Sequence, residues 1–357
     1  LISTPEQLAG LAERTNVDKE DFAGQYIKLT ADIYLTDFTN PDTASWKEWT
    51  PISGVFWGNY SEDEMGQLSG PKVDSIAFCG TFDGDGHTIY NVYYGQGAGW
   101  GDGFDPNDFD MAGWGSSLTD LDFSVWNKAL FGQLVGGTIK NLNVRDARIT
   151  AVSSVSLLVN YVREGSTISN CHVSGTTMGT GATGGGLVRS NDGLIENCTL
   201  NISSTGRKTS TDRGIDFGGL TCENFAHGVI RNCTVSGSAD NGSGFVVQNF
   251  GLIENCTASV DITCGYGLRA PNSGYGFVEQ NFGLIRNCVA TGTLRGVGWL
   301  AGFCHENEGR IESCYATGDL YNTPLPGVTS HAQMALFVSY NCRFAVGRET
   351  TEGAGTC

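Results

Sequence analysis

Gly251-Leu-Ile-Glu-Asn-Cys256 is one of several closely similar stretches that recur along this chain of 357 residues. From Ile139 onward, the isoleucines of successive copies lie between 23 and 35 residues apart. Such β-branched, Gly-punctuated units are unfavourable for helices, and their spacing predicts a solenoid of short strands. The other copies are Gly193-Leu-Ile-Glu-Asn-Cys198, Gly228-Val-Ile-Arg-Asn-Cys233, Gly283-Leu-Ile-Arg-Asn-Cys288 and Gly309-Arg-Ile-Glu-Ser-Cys314, with weaker ones at Thr88-Ile-Tyr-Asn-Val92, Thr138-Ile-Lys-Asn-Leu142 and Thr167-Ile-Ser-Asn-Cys171.

The side-chain parity within one copy predicts the geometry of the chain. Ile195 and Cys198 are three residues apart, so a straight strand would send them to opposite faces. A left-handed backbone bend at Asn197, which Asn tolerates better than most residues, turns both side chains inward. Because every copy repeats this pattern, the sequence predicts a single-domain, all-β, single-stranded parallel β-helix of about eight coils, with a corner at each Asn.

A second unit precedes the first in each coil. It consists of Gly, two residues that are mostly apolar, and an Asn five residues after the Gly. Its copies start at Gly186, Gly219, Gly244, Gly276 and Gly302 and end at Asn191, Asn224, Asn249, Asn281 and Asn307.

The outward position between Ile and Asn supports stacking of the coils in register. Neighbouring coils would place these side chains about 4.8 Å apart, where opposite charges attract and like charges repel. The last five members of the row alternate in sign. The row is Lys140, Ser169, Glu196, Arg231, Glu254, Arg286 and Glu312.

The ends of the chain depart from the repeat and predict caps. Thr4-Pro-Glu-Gln7 is a helix start, so residues 5–15 are predicted to form a short helix that covers the first coil. Residues 1–75 are assigned to an N-terminal cap with the first strands, residues 76–318 to the repeat coils, and residues 319–357 to a C-terminal cap. One large insertion, 95–127, interrupts the coils.

Half of the 12 cysteines occupy one repeat position. Because no Cys-x-x-Cys occurs and parallel side chains suit a disulfide poorly, these six are predicted to be buried, reduced thiols. They are Cys171, Cys198, Cys233, Cys256, Cys288 and Cys314. Pairing of the other six stays open: Cys79, Cys222, Cys264, Cys304, Cys342 and Cys357.

The charge balance excludes some partners. With 38 carboxylates against 21 Lys and Arg, the chain has a net charge of −17, which argues against nucleic acid and anionic membranes. No stretch approaches the length of a membrane span, so attachment to a membrane is expected only through an anchor outside this segment.

The ordered motifs resemble the GLUG-motif β-helix proteins of bacterial surfaces, which are often described as immunoglobulin A protease-like. The resemblance implies a right-handed, pectate-lyase-like solenoid, export to the cell surface or secretion, and a non-catalytic repeat region. The long aromatic insertion and the Cys enrichment depart from the commonest pattern of this family. The motifs are Leu8-Ala-Gly-Leu-Ala-Glu13, Tyr26-Ile-Lys-Leu-Thr-Ala-Asp-Ile33, Trp49-Thr-Pro-Ile52, Gly80-Thr-Phe-Asp-Gly-Asp-Gly-His-Thr-Ile89 and Gly137-Thr-Ile-Lys-Asn-Leu142.

A search for catalytic motifs leaves one enzyme hypothesis. His305-Glu306 has no second His in the zinc-peptidase position, and nothing marks a serine nucleophile, so neither peptidase class is predicted. A β-helical glycoside hydrolase or polysaccharide lyase needs carboxylates that converge on one face. The candidate surface for such chemistry is Glu279, His305, Glu306 and Arg189.

The insertion is the first predicted ligand site, because aromatic faces beside carboxylates suit sugar stacking and hydroxyl hydrogen bonding. The sequence therefore predicts a non-catalytic, extracellular adhesion module, monomeric, that binds a glycan or a host surface protein. The alternatives are a carbohydrate-active enzyme and a structural spacer of a larger protein. No cofactor is predicted, although Ca²⁺ at the acidic residues stays an alternative. The predicted site residues are Trp100, Trp114, Trp126, Asp102, Asp105, Asp108 and Asp110.

Overall fold

The computed structural model of the chain describes residues 1–57, 61–62, 68–69, 73–95, 127–151, 154–179, 184–206, 217–264, 273–323 and 332–341. The N-terminal helix α1 spans Pro5–Asn16 and agrees with the predicted cap to within one residue. The Thr4 side chain accepts a hydrogen bond from the Gln7 backbone N–H, and Leu8 and Leu11 are buried beneath the helix. A 3-10 helix spans Thr43–Ser45.

The described residues form a parallel β-helix, which confirms the predicted fold class. Four parallel sheets run along the solenoid axis, and each complete coil contributes a strand to all four in turn. We call them sheets 1 to 4. A coil passes from sheet 3 through sheet 4 and sheet 1 to sheet 2.

Sheet 1 contains nine strands, one more than the predicted number of coils. They are β1 (Tyr26–Lys28), β7 (Thr81–Asp83), β12 (Thr138–Lys140), β16 (Thr167–Ser169), β20 (Leu194–Glu196), β24 (Val229–Arg231), β28 (Leu252–Glu254), β32 (Leu284–Arg286) and β37 (Arg310–Glu312).

Sheet 2 contains the longest strands. They are β2 (Ile33–Tyr34), β8 (Thr88–Tyr90), β9 (Tyr93–Tyr94), β13 (Asn143–Ala151), β17 (His172–Gly179), β21 (Thr199–Gly206), β25 (Thr234–Asp240), β29 (Thr257–Thr263), β33 (Val289–Ala290), β34 (Leu294–Gly296), β38 (Tyr315–Ala316) and β39 (Leu320–Asn322).

Sheets 3 and 4 meet at a tight bend around the second repeat unit. Sheet 3 is β10 (Asn127–Lys128), β14 (Ser154–Val155), β18 (Gly184–Gly185), β22 (Phe217–Gly218), β26 (Gly242–Ser243), β30 (Gly274–Tyr275), β35 (Trp299–Ala301) and β40 (Gln333–Ala335). Sheet 4 is β11 (Phe131–Leu134), β15 (Val159–Val162), β19 (Val188–Asn191), β23 (Thr221–Asn224), β27 (Val246–Asn249), β31 (Val278–Asn281), β36 (Cys304–Asn307) and β41 (Val338–Asn341). Two antiparallel pairs complete the described strands: β3 (Val55–Trp57) with β6 (Val73–Ser75), and β4 (Ser61–Glu62) with β5 (Leu68–Ser69).

The predicted Asn corners are present between sheets 1 and 2. Asn197 has a φ of 54° and Asn255 a φ of 55°, both in the left-handed region. Neighbouring corners are joined by side-chain amides, since Asn255 Nδ2 donates to Asn232 Oδ1 at 3.4 Å. The other left-handed corners are Asn141, Asn170, Asn232, Asn287 and Ser313.

One weak copy of the repeat was wrongly aligned. Ile89 lies in sheet 2 opposite Val144, whereas the residue that stacks on Ile139 in sheet 1 is Phe82. The stretch from Thr88 to Val92 resembles the repeat because strand, apolar residue and left-handed Asn91 recur there. The mismatch arises because β7 and β8 are joined by a longer connection than the Asn corner that joins sheets 1 and 2 in the later coils.

The core consists of stacked ladders of like residues. Phe277 is fully buried, with its ring 4.5 Å from that of Phe245 and 4.7 Å from that of Phe303.

The asparagine that ends the second repeat unit forms a buried amide ladder, with hydrogen bonds of 2.8 Å between successive coils. Glycine begins this unit because a Cβ on Gly276 would lie 1.9 Å from the Gly302 carbonyl oxygen. Strands β40 and β41 extend sheets 3 and 4 beyond residue 319, and Asn341 continues the amide ladder there.

The cysteine ladder has the predicted form. All ten described cysteines are free, and five of the six ladder cysteines are buried, Cys314 being partly exposed. Each ladder thiol donates to the carbonyl two residues before it, as Cys256 Sγ does to Glu254 O at 3.1 Å. Burial raises the pKa of Cys256 well above its usual value, which favours the protonated thiol. Cys342 and Cys357 lie outside the described residues.

Asn255→Leu is expected to lower the free energy of unfolding by about 1–3 kcal/mol, because Leu is strained at positive φ and cannot join the amide ladder. Asn255→Gly is the matched control, since it removes the amide and tolerates the backbone. Its loss should be clearly smaller. Chemical denaturation of the three proteins measures both effects, and equal stability of Asn255→Leu and wild type would contradict the role of the corner.

Among the described residues, no helix combines the length and apolar character needed to cross a membrane.

Candidate functional site

The outer faces of the sheets carry different chemistry. On sheet 1, the charge row is in register, and Arg231 contacts Glu196 at 2.6 Å while Arg286 contacts Glu254 at 2.6 Å. These exposed pairs contribute about 0–1 kcal/mol each and mainly specify coil register. The predicted Trp and Asp residues of the insertion, from Trp100 to Trp126, lie outside the described residues.

An aromatic cluster lies on the outer face where sheets 3 and 4 meet in the C-terminal coils. His305 stacks on Tyr275 with their ring centroids 4.8 Å apart and nearly parallel. The rings of Trp299 and Tyr340 approach the imidazole at 5.4 Å each, and they lie 5.4 Å from one another. Tyr275 is the buried base of the cluster, whereas Trp299 is partly exposed and Tyr340 is 42% exposed. Two aromatic rings are therefore accessible above a packed layer.

The tight bend between the two sheets brings these rings together. Tyr275 occupies the position that Gly185, Gly218 and Ser243 hold in earlier coils of sheet 3. His305 follows on sheet 4 of the next coil, and its ring fills the space beside the larger tyrosine ring. Replacement of a small residue by Tyr at one coil is thus what creates the cluster.

Two carboxylates flank the aromatic rings. Glu306 Oε1 lies 3.9 Å from His305 Nε2, and its other oxygen accepts a hydrogen bond from Gln280 Nε2 at 2.8 Å. Gln280 Oε1 in turn accepts from Gln248 Nε2 at 2.7 Å. Glu279 lies close enough to Tyr275 for its charge to affect that phenol. The result is an acidic, amide-lined strip beside the rings.

Burial controls the protonation of the central groups. It lowers the pKa of His305, an effect that the nearby Glu306 charge partly opposes, so the imidazole is neutral at neutral pH. Burial also raises the pKa of Tyr275, and the charges of Glu279 and Glu306 raise it further. Both groups are therefore uncharged hydrogen-bonding groups near pH 7, and the charge of the surface comes from its carboxylates.

The structure brings three of the four residues of the alternative predicted surface together. Glu279, His305 and Glu306 lie on the adjacent strands β31 and β36, but Arg189 lies on β19, three strands from Glu279. Three strand spacings correspond to about 14 Å. Arg189 instead contacts Glu223 at 3.6 Å and donates to Ser190 Oγ at 2.8 Å. It belongs to another part of sheet 4.

Sequence reasoning missed Tyr275, Trp299, Tyr340 and Gln280. Their positions along the chain are far apart, and only the stacking register places them on one surface. A signal was present, since Tyr275, directly before the second repeat unit, interrupts a row of small residues. Its meaning required knowledge of which position of the next coil it faces.

A second aromatic group, at the N-terminal end, is covered by an arginine side chain of the protein. The Arg148 guanidinium lies 4.1 Å from the centroid of Phe38 and 5.3 Å from that of Trp46. Because a cation of the protein already occupies these ring faces, the group stabilises the fold and offers less free aromatic surface.

Within the described part of the chain, no group of three or more His, Cys, Asp or Glu residues is arranged to hold a metal ion. The Ca²⁺ alternative concerned residues of the insertion, which lie outside that part.

Comparison with solved structures gives three matching chains, one of which is described below. No protein-family model matches the chain, and no curated protein matches it. The chain is similar to the crystal structure of a "putative immunoglobulin A1 protease from Bacteroides ovatus", with 19% identity over 96% of this chain and 83% of that chain, and a TM-score of 0.47. This neighbour agrees with the immunoglobulin A protease-like resemblance of the sequence, whereas no comparison shows the GLUG motif. At this identity and TM-score the likeness carries no argument about function.

Proposed function

We propose that this solenoid is an extracellular, non-catalytic module that binds a glycan at the aromatic cluster of Tyr275, Trp299, His305 and Tyr340. The carrying observation is that two accessible rings, Trp299 and Tyr340, contact His305, whose imidazole lies 3.9 Å from the Glu306 carboxylate. Aromatic faces pack against the apolar C–H faces of sugar rings, while carboxylates and amides bind the hydroxyl groups around the ring edge.

The support of the accessible rings favours recognition over simple core packing. Trp299 packs against His305, which itself stacks on Tyr275, and this contact restricts the indole before a ligand arrives. A side chain that is already ordered loses less conformational entropy on binding. The hydrogen bond from Gln280 likewise orients Glu306.

The electrostatics of the cluster favour a neutral sugar over an acidic one. Among the described residues, Glu279 and Glu306 are carboxylates beside the rings, and the chain carries a net charge of −17. Anionic glycans would be repelled by both the local and the overall charge. Neutral hexose or N-acetylhexosamine oligosaccharides are thus the proposed ligands.

Trp299→Ala is expected to weaken binding of neutral oligosaccharides by about two- to tenfold, because loss of a stacking ring costs about 0.5–1.5 kcal/mol. A glycan array identifies a ligand, and calorimetry on wild type and variant measures the change. Trp46→Ala is the matched control, since it removes another partly exposed indole far from the cluster. Absence of any glycan ligand, or equal affinity of Trp299→Ala and wild type, would refute the proposal.

The same assay distinguishes the enzymatic alternative. Glu279, His305 and Glu306 are acid–base groups on one surface, as a glycoside hydrolase or lyase would require. New reducing ends or unsaturated sugars after incubation would show turnover, and their loss in Glu306→Gln would assign it to this surface. Binding with unchanged glycans supports the non-catalytic module.

A further inference from the structure

Across four central strands, the outer face of sheet 2 consists mostly of uncharged hydrogen-bonding side chains. Strands β17, β21, β25 and β29 alternate inward apolar residues with outward polar ones, and the outward residues stack in register across the four coils. We call this surface the hydroxyl face. Its twelve members are His172, Ser174, Thr176, Thr199, Asn201, Ser203, Thr234, Ser236, Ser238, Thr257, Ser259 and Asp261.

The hydroxyl face is ordered as a lattice of three rows. The first row runs His172, Thr199, Thr234 and Thr257, the second Ser174, Asn201, Ser236 and Ser259, and the third Thr176, Ser203, Ser238 and Asp261. Members of a row are about 4.8 Å apart, and neighbouring rows are about 7 Å apart, because coils follow the strand spacing and outward residues alternate along each strand. The lattice therefore presents hydrogen-bonding side chains at equal intervals along the solenoid axis.

The exposed Asn corners extend this lattice by a fourth row. Asn197, Asn232 and Asn255 each precede a threonine of the first row by two residues and are exposed. Asn232 Nδ2 donates to Asn197 Oδ1 at 3.2 Å, and Asn255 continues the ladder. Each amide uses one N–H and one oxygen lone pair in such a ladder, which leaves one of each for an external partner.

Several hydroxyl groups are available to a ligand. Ser259 Oγ donates to the Val235 carbonyl at 3.1 Å and keeps its lone pairs, and Asn201 bonds to Ser236 Oγ at 3.1 Å. Among the described residues, the hydroxyls of Thr234, Ser238 and Thr257 have no side-chain hydrogen-bond partner. Positions of the first and third rows are thus open to bind a hydroxyl-bearing molecule in place of water.

We infer that the hydroxyl face binds a long, uncharged polysaccharide chain lying along the solenoid axis. Ten of its twelve members are hydroxyl or amide side chains, and Asp261 adds a carboxylate, so both this surface and the net charge of −17 disfavour polyanions. A neutral polysaccharide supplies hydroxyl donors and acceptors at a repeat comparable with the strand spacing. The inference concerns a second site and does not depend on the aromatic cluster.

The energetics make chain length the distinguishing property of this site. A single neutral hydrogen bond contributes only about 0.5–1.5 kcal/mol, so one sugar unit binds weakly. A polymer that meets several coils at once gains affinity through multivalency. The hydroxyl face should therefore retain polymers and ignore short oligosaccharides, whereas the aromatic cluster should bind short ones.

The experiment is a pull-down on insoluble neutral polysaccharides, namely cellulose, chitin and starch, with insoluble calcium pectate as the anionic comparison. Wild type is expected to be retained on at least one neutral polymer. The double variant Thr234→Arg/Ser238→Arg should reduce retention at least tenfold, because two long cationic side chains cover the middle of the lattice. Thr167→Arg, on the outer face of sheet 1, is the matched control and should be retained like wild type.

Each outcome decides the proposal. Thr234→Ala/Ser238→Ala, which removes the same hydroxyls without added bulk, should also weaken retention and replaces the arginine variant if that protein fails to fold. Retention of both double variants like wild type, preference for pectate, or no retention of wild type would overturn the inference. Loss of retention in Trp299→Ala alone would overturn it as well, while supporting the aromatic cluster as the glycan site.

Discussion

Phe277→Ala is expected to lower the free energy of unfolding by about 3–5 kcal/mol. The ring is fully buried and stacks on Phe245 and Phe303 within the solenoid. Truncation removes the transfer free energy of the ring and leaves a cavity between two neighbours that are anchored in their own coils. Because the coils are held at the strand spacing by backbone hydrogen bonds, they cannot close the gap. Urea denaturation of the purified protein measures the loss.

Phe282→Ala provides the matched control in the same coil. Its ring also stacks on a neighbour, Phe250, with centroids 4.8 Å apart, but it is 37% exposed. Since water already reaches this ring, its removal should cost about 1 kcal/mol or less. Equal losses for the two variants would show that ring stacking, and not burial, dominates the stability of the phenylalanine ladder.

Asn249→Leu is expected to destabilise the fold by about 2–5 kcal/mol. Asn249 accepts a hydrogen bond from Asn224 Nδ2 and donates one to Asn281 Oδ1, each at 2.8 Å, in a fully buried ladder. Leucine occupies a similar volume but leaves a donor above and an acceptor below without a partner. Each buried, unsatisfied polar group costs about 1–3 kcal/mol.

The neighbouring Gln248→Leu isolates the effect of burial on an amide. Gln248 also forms an amide hydrogen bond between coils, to Gln280, but it lies on the partly exposed outer face. Water can replace the lost partner there, so the loss should stay below about 1 kcal/mol. Thermal unfolding of both variants gives the comparison, and a greater loss for Gln248→Leu would contradict the importance of the inner ladder.

The fold was predictable because its signals are local and repeated. The Ile-x-Asn-Cys unit contains its own strand, corner and buried thiol, so one copy such as that around Asn255 predicts the rest. The alternation of Glu and Arg predicted the register of sheet 1, which the contact between Arg231 and Glu196 confirms. Only where the spacing of the repeat changes, before Ile139, did the alignment fail.

The aromatic cluster was less predictable because it depends on the register between different repeat units. His305 and Glu306 were singled out from their chemistry, but their partner Tyr275 lies one coil earlier and on another sheet. Arg189 was grouped with them because it occupies the same repeat position, and only the coil count places it about 14 Å from Glu279. The predicted insertion site from Trp100 to Trp126 stays a prediction.

Alternation of charge along sheet 1 also limits how the length of such a protein can change during evolution. Loss of a single coil, for example the one that contains Arg231, would place Glu196 directly beside Glu254. Loss or duplication of two adjacent coils preserves the order of opposite charges. The penalty is that of one like-charge pair at the junction, about the size of one exposed ion pair. Recombination within this gene should therefore favour lineages whose coil numbers differ by two.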